Sequence, residues 1–266
     1  MKALSLAAFL AFAAAAQAAD IPADLSEPLA PKQATWSFEG PLGLYDRGSL
    51  QRGYQVYKEV CSACHSLNRV AFHDLAGESG IGFSPAQAKA LAAAAKVPAE
   101  PNDKGETYDE KGERITRPGI PADHFPAPFA NEEAARAANG GALPPDLSLI
   151  VKARVGGANY IHAILTGFGQ KPPHGFTVQP GKYFNPYFPG GNISMPPPLT
   201  EGAVTYSDGT QATVDQEAHD VVTFLAWASD PKMEERKRTG FGVMLFMLVL
   251  SGLLFLSYRK VWKDAH

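Results

Sequence analysis

The chain holds two cysteines, and both fall in Cys61-Ser62-Ala63-Cys64-His65. Two thiols three positions apart, followed at once by an imidazole, suit covalent haem attachment: the thiols add to the two vinyl groups, and the ring nitrogen faces the iron. A thioredoxin-like dithiol uses the same Cys-x-x-Cys spacing, but it sits among parallel strands, and no strand–helix alternation surrounds residues 61–64. A structural zinc site needs two further ligands at paired spacing, whereas His73, His124, His162, His174, His219 and His266 form no close pair. A disulfide across so short a loop would be tight and stabilise little. The motif therefore predicts one covalently bound haem c on Cys61 and Cys64, with His65 as an axial ligand.

The opposite axial ligand is narrowed by elimination. Of five methionines, Met1 belongs to an export signal, Met244 and Met247 to an apolar span, and Met233 to a charged run beside that span. Met195 remains, in Asn192-Ile193-Ser194-Met195-Pro196-Pro197-Pro198, where three prolines restrict the backbone around the thioether. A second histidine is the alternative, with His73, His124, His162, His174 and His219 as candidates. Ligation by His and Met raises the reduction potential relative to two histidines and leaves no open iron position, as electron transfer requires. Arg154 is placed to pair with a propionate, and the aromatic cluster Tyr183, Phe184, Tyr187 and Phe188 to pack a core or cover a haem edge. Catalytic triads, phosphate loops and paired carboxylates are absent from the pattern.

These residues need elements to hold them. Leu50, Tyr54, Tyr57 and Cys61 recur at helical spacing and predict a helix that delivers the cysteine pair. A short alanine-rich helix is expected over 86–96, and a long Gly-, Pro- and acid-rich loop over 97–131 with little to bury. Pro144-Pro145-Asp146 introduces an expected helix burying Leu147, Ile150 and Val151; a second starts near Ala158, carries Tyr160, Ile161, Ile164, Leu165 and Phe168, and is ended by Gly167 and Gly169. Two strands are expected between Val204 and Thr213 about the turn Ser207-Asp208-Gly209. The last helix of the body has a capping box at Thr213 and Gln216, an apolar face of Ala218, Val221, Val222 and Leu225, and Pro231 past its end. Residues 21–43, rich in proline and without periodicity, read as an extended strap.

The two ends stand apart from this body. Residues 1–19 have a positive start, an apolar run and Ala16-Gln17-Ala18, the pattern of a secretory signal peptide. Gly240 to Tyr258 carries no charge, and its 19 residues at ~1.5 Å each span roughly 28 Å, the depth of a bilayer's hydrocarbon layer. The organisation expected is a signal at 1–19, a periplasmic cytochrome domain at 20–231, a charged linker at 232–239, a transmembrane helix at 240–258 and a cytoplasmic tail at 259–266. Basic residues flank both ends of the span, so the positive-inside rule does not orient it; export of the N-terminal body does. A formal net charge of -3 without a basic stripe argues against a nucleic-acid partner. Between residues 100 and 133, nine acids against four bases make a solvated segment with the sign to attract a basic partner.

With these residues in place, the chain resembles the cytochrome c1 family, the haem subunits of quinol–cytochrome c reductase, the cytochrome bc1 complex. The resemblance runs from Cys61-Ser62-Ala63-Cys64-His65-Ser66 through Asn139-Gly140-Gly141-Ala142-Leu143-Pro144-Pro145-Asp146-Leu147-Ser148, Tyr183-Phe184-Asn185-Pro186-Tyr187-Phe188 and Met195-Pro196-Pro197-Pro198. It continues through Asp220-Val221-Val222-Thr223-Phe224-Leu225-Ala226-Trp227-Ala228. It implies a mainly α, class I cytochrome c-like domain with long loop insertions and one C-terminal transmembrane helix. It also implies axial ligation by His65 and Met195, thioethers from Cys61 and Cys64, and Arg154 and Tyr160 near a propionate. The role implied is to take one electron from the Rieske iron–sulfur protein and pass it to a cytochrome c. The partners implied are cytochrome b, the Rieske protein and that acceptor, in a dimeric complex of the bacterial inner membrane.

Overall fold

The computed structural model describes residues 27–263. The expected signal at 1–19 and the start of the strap lie outside them. In chain order the elements are α1 (Arg47–Glu59), α2 (Pro85–Ala94), β1 (Lys96–Pro98), β2 (Thr116–Pro118), α3 (Glu132–Ala138) and α4 (Gly157–Thr166). They continue with β3 (Tyr183–Phe184), β4 (Asn192–Ile193), α5 (Val214–Ser229) and α6 (Met233–Val261). The chain is mainly helical, and among the described residues its two sheets are two-stranded antiparallel ribbons, β1 with β2 and β3 with β4.

The body is organised around the crossing of α1 and α5. Asp46 caps α1 by accepting from the Ser49 N–H at 2.7 Å, and the helix buries Leu50, Tyr54, Val56 and Tyr57. The two backbones meet at Gly53: a Cβ there would stand 2.0 Å from the Asp220 carbonyl oxygen, so only glycine permits this approach. The same crossing is fastened by the fully buried Asp220, which accepts from Ser49 Oγ at 2.6 Å and from Arg52 Nε at 2.8 Å. Arg52 also reaches Asp208 at 2.8 Å and lies over the Tyr206 ring. Around this joint pack Phe224, Trp227, Phe125 and Phe72.

Thr213 caps α5 as expected, but the Gln216 side chain donates to Asp220 instead of turning back, so half of the expected capping box forms. The strap holds Trp36 in the interior, its Nε1 donating to Asn159 of α4 at 2.8 Å. α2 starts one residue before the expected alanine-rich stretch and ends two before its limit, with Ser84 and Gln87 forming a full capping box.

Several expectations give way. Residues 147–154 form successive turns in place of a regular helix: the Ile150 and Lys152 N–H groups close i→i−3 bonds to Leu147 and Leu149, and the Ala153 N–H makes an i→i−4 bond to Leu149. Strands between Val204 and Thr213 do not form: the Val204 N–H donates to Glu217, and only the turn about Ser207-Asp208 remains. The 97–131 loop is partly ordered by the β1–β2 ribbon and sends Phe125 into the core, while Glu100, Asp103, Glu106, Asp109, Glu110 and Glu113 stay on the surface. α3 was not foreseen, although Asn131 followed by Glu132 and Glu133 carries a helix-start signature. Of the expected linker at 232–239, all but Lys232 is helical and continuous with the apolar span, so α6 runs for 29 residues. Its apolar stretch is long enough to cross a membrane and is not covered by the rest of the chain.

Candidate functional site

α1 ends at Glu59, and Cys61-Ser62-Ala63 tightens into a 3₁₀ turn in which the Cys64 and His65 N–H groups both donate to the Cys61 carbonyl, at 3.1 and 2.9 Å. Cys61, Cys64 and His65 are thereby carried on one turn anchored by the body's central helix. The two sulfurs are not joined in a disulfide; Cys64 is exposed, and burial pushes the Cys61 thiol up to about 12, with Cys64 adding to it.

His65 is held by its second nitrogen. Its Nδ1 lies 2.8 Å from the Pro145 carbonyl oxygen, which accepts the Nδ1 proton and leaves the Nε2 lone pair free for a metal. Burial lowers the His65 pKa against the opposing pull of Pro145 and Asp146, which keeps the ring neutral, as a ligand must be. Pro145 is fixed in turn by a polar clamp between the segment after His65 and the segment after Pro145. The Asp146 carboxylate accepts from Ser66 Oγ and the Asn68 N–H, both at 2.8 Å, and from the Ser148 N–H at 2.9 Å. Leu147 donates to the Ser66 carbonyl, and the Arg69 N–H to Ser148 Oγ. Burial works to raise the Asp146 pKa, but these donors prevail and hold it below the ordinary carboxylate value. Tyr57 on α1 adds a bond from its hydroxyl to the His65 carbonyl.

Met195 follows β4 and stands in a second apolar cluster with Ala163, Ile164, Tyr187 and Ile193, joined by Tyr160, Phe168 and Phe188. The cluster is tied to α4 by Asn185, which is fully buried and donates to the Ile164 carbonyl at 2.8 Å. Gly167 allows the close approach: a Cβ there would meet Tyr187 and Asn185 at 2.7 and 2.9 Å. The 183–188 aromatics thus split, with Phe184 and Tyr187 buried and Tyr183 exposed.

The rival histidines are otherwise disposed. His73, His124 and His174 are exposed. His219 stacks on Trp36 at 4.8 Å between centroids, and His162 meets the edge of the same ring with Asp215 at 3.4 Å.

Arg154 lines an open cleft of about 450 Å³ together with Pro145, Asp146, Leu149, Asn68 and Arg69. Tyr160 lies in the Met195 cluster, its phenol pushed upward by burial, with the charge of Arg154 acting the other way. The structure therefore groups Cys61, Cys64 and His65 on one turn, Met195 and Tyr160 in one cluster, and Arg154 in a cleft that Pro145 also lines. Sequence reasoning missed the Asp146 clamp, although Asp146 follows the proline pair directly. It also missed Arg69, a second cation in the cleft four residues after His65.

Two thiols outside any disulfide, an imidazole with one nitrogen already engaged, a thioether in an apolar cluster and two arginines lining a cleft shared with Pro145 form a donor set that fits a haem with its propionates.

Comparison with known proteins agrees. Residues 36–265 match the Cytochrome C1 family. The chain is 48% identical over 244 residues to the cytochrome c1 of Rhodospirillum rubrum, covering 86% of each chain. It is 51% identical over 227 residues to the mitochondrial heme protein cytochrome c1 of Kluyveromyces lactis, covering 85% of this chain and 72% of that one. To the cytochrome b/c1 of Bradyrhizobium diazoefficiens it is 49% identical over 249 residues, 87% of this chain and 35% of that longer protein. The chain belongs to the cytochrome c1 family. It is accordingly a haem-binding, single-pass membrane protein.

Proposed function

We propose that the chain is the haem-bearing subunit of a quinol–cytochrome c reductase, accepting single electrons from a Rieske iron–sulfur protein and passing them to a cytochrome c. The observation that carries this reading is the Cys61–His65 turn locked by the Pro145 carbonyl, which holds one imidazole nitrogen away from the metal and presents the other. Cys61 and Cys64 would hold one haem c through thioethers, His65 and Met195 would be its axial ligands, and Arg154 and Tyr160 would lie toward a propionate. The group supplies a one-electron ferric/ferrous couple when bound. The chain's own residues fix its axial field, exclude water through the Met195 cluster, and balance propionate charge with Arg154 and Arg69.

Cytochrome b, the Rieske protein and the acceptor are the proposed partners, in a dimeric complex. The haem domain, residues 20–231, is placed on the periplasmic side of a bacterial inner membrane, with the tail from 259 in the cytoplasm; the signal pattern at 1–19 and the exposed apolar helix α6 support this. A potentiometric titration of Met195→Leu tests the ligand set: the expected result is retained covalent haem with a sharply lower potential. An unchanged potential would return the sixth position to a histidine. Purification in mild detergent tests the assembly: cytochrome b and the Rieske protein should accompany the chain, and their replacement by a terminal oxidase or nitric oxide reductase would reassign it to a different anchored cytochrome.

A further inference from the structure

The start of α6 is pinned to a short loop of the body. Lys237 Nζ donates to the carbonyls of Phe38 and Gly43, at 2.8 and 3.0 Å, and Glu234 accepts from the Tyr45 N–H at 2.7 Å and from Arg47 at 2.6 Å. Lys237 precedes the first residue of the uncharged span, Gly240, by three positions, or about 4.5 Å along the helix axis. The polar layer beyond the hydrocarbon is roughly 5–8 Å deep on each side of a bilayer, so Lys237 and what it holds lie at its level.

The held segment is a rigid turn with apolar ends. Gly40 takes φ +73°, Pro41 fixes the next residue, and Gly43 is hemmed in so closely that a Cβ would meet the Glu39 carbonyl at 1.9 Å. The Leu44 N–H donates to the Ser37 carbonyl, and Phe38 packs between Trp36 and Tyr45. Leu42 is nevertheless 82% exposed and Leu44 59% exposed. A preorganised turn that offers two leucines to water, with Glu39 as the lone charge from Ser37 to Tyr45, is costly unless something apolar meets it. The neighbouring surface on that path is the membrane itself, continuous with the exposed face of α6 and flanked by Lys232 and Arg238, cations suited to lipid phosphates.

We propose that the 40–44 turn seats Leu42 and Leu44 in the headgroup–acyl boundary of the bilayer that α6 crosses. The haem domain then meets the membrane at two points, which fixes its tilt as well as its height.

The test uses the full holoprotein in lipid nanodiscs, with the iron held ferrous and diamagnetic. Nitroxide labels are placed at Leu42→Cys, at Leu44→Cys, at exposed Glu110→Cys as the aqueous reference and at Leu248→Cys within the span as the lipid reference. Power-saturation EPR compares collisions with oxygen, which partitions into lipid, and with a water-soluble nickel chelate. The expected oxygen-to-nickel ratio at 42 and 44 is several-fold above that at 110 and below that at 248. A ratio at both leucines equal to that at 110 overturns the proposal. Exclusion of both reagents, in nanodiscs or in the assembled complex, overturns it in favour of a protein subunit covering the turn. If the label at 248 also reads as aqueous, the membrane-spanning reading fails, and this contact fails with it.

Discussion

Gly53→Ala sets two effects of opposite sign against each other. Alanine is the better helix former, and in mid-helix it would gain about 0.5–1 kcal/mol over glycine. Against that gain, the new Cβ would lie 2.0 Å from the Asp220 carbonyl oxygen, 2.6 Å from its carbonyl carbon and 2.8 Å from Phe224 Cβ. An ordinary C···O contact is ~3.3 Å or more, so α1 and α5 must part by over about 1 Å. A gap of that size forfeits roughly a quarter to a half of each dispersion contact across the crossing, which Leu50, Tyr54, Val221 and Phe224 share. Overpacking of a rigid core costs ~1–3 kcal/mol, and two backbones that cannot rotate away place this case at the upper end. The net expectation is a loss of about 2 kcal/mol, or a Tm lower by roughly 4–8 °C for a body of this size. The assay is thermal unfolding of the full chain in detergent, followed by far-UV circular dichroism and haem absorbance. A Tm equal to or above the parent's would mean that helix propensity wins and that the crossing is looser than its geometry indicates.

Three further outcomes are expected. Asp146→Asn leaves one acceptor oxygen where two serve, so an amide NH2 must face either the Asn68 or the Ser148 N–H; with the group half-exposed, the loss is about 1.5 kcal/mol, read as a lower urea midpoint together with altered ferric EPR g values. If neither moves, Asp146 does not clamp the His65 segment. The Arg117 guanidinium, followed by the Ile120 N–H, holds the Asp123 carboxyl at about 2, below its unfolded value; the clamp therefore contributes fully above about pH 4 and is lost as pH falls toward 2. Hydrogen-exchange protection of the 117–123 peptide should fall across that interval in the parent and stay flat in Asp123→Asn, and identical profiles would contradict the assignment. The exposed acids between Glu100 and Glu113 should attract a basic cytochrome c, so raising ionic strength from ~0.01 to ~0.15 M, which shortens the Debye length from ~30 to ~8 Å, should slow its reduction. A flat salt response would remove that docking role.

What was legible in the sequence was what repeats or what is chemically scarce. The spacing of Leu50, Tyr54 and Tyr57 drew α1, Thr213 and Pro231 bracketed α5, and an uncharged run marked the exposed part of α6. Cys61, Cys64 and His65 were visible because the chain's two cysteines stand three positions apart and a histidine follows directly. What was not legible depends on where long-range hydrogen bonds go. The apolar spacing of Leu147, Ile150 and Val151 mimics a helix, yet the backbone closes i→i−3 turns at Ile150 and Lys152 while Leu147 is tied back to Ser66. Val204 alternates like a strand residue until a buried glutamate from α5 takes its N–H. Gly53 looks like an ordinary weak point in a helix, and its reason, the Asp220 backbone, lies 167 positions on in the chain.

The central claim is that Cys61 and Cys64 carry a haem by covalent bonds. Acid–acetone extraction of the purified chain, followed by an alkaline pyridine spectrum and peptide mass analysis, tests it most directly. The expected result is colour that stays with the polypeptide and one haem mass on the peptide spanning Cys61 to His65. Colour that leaves entirely with the solvent, or free thiols on both cysteines, would contradict it.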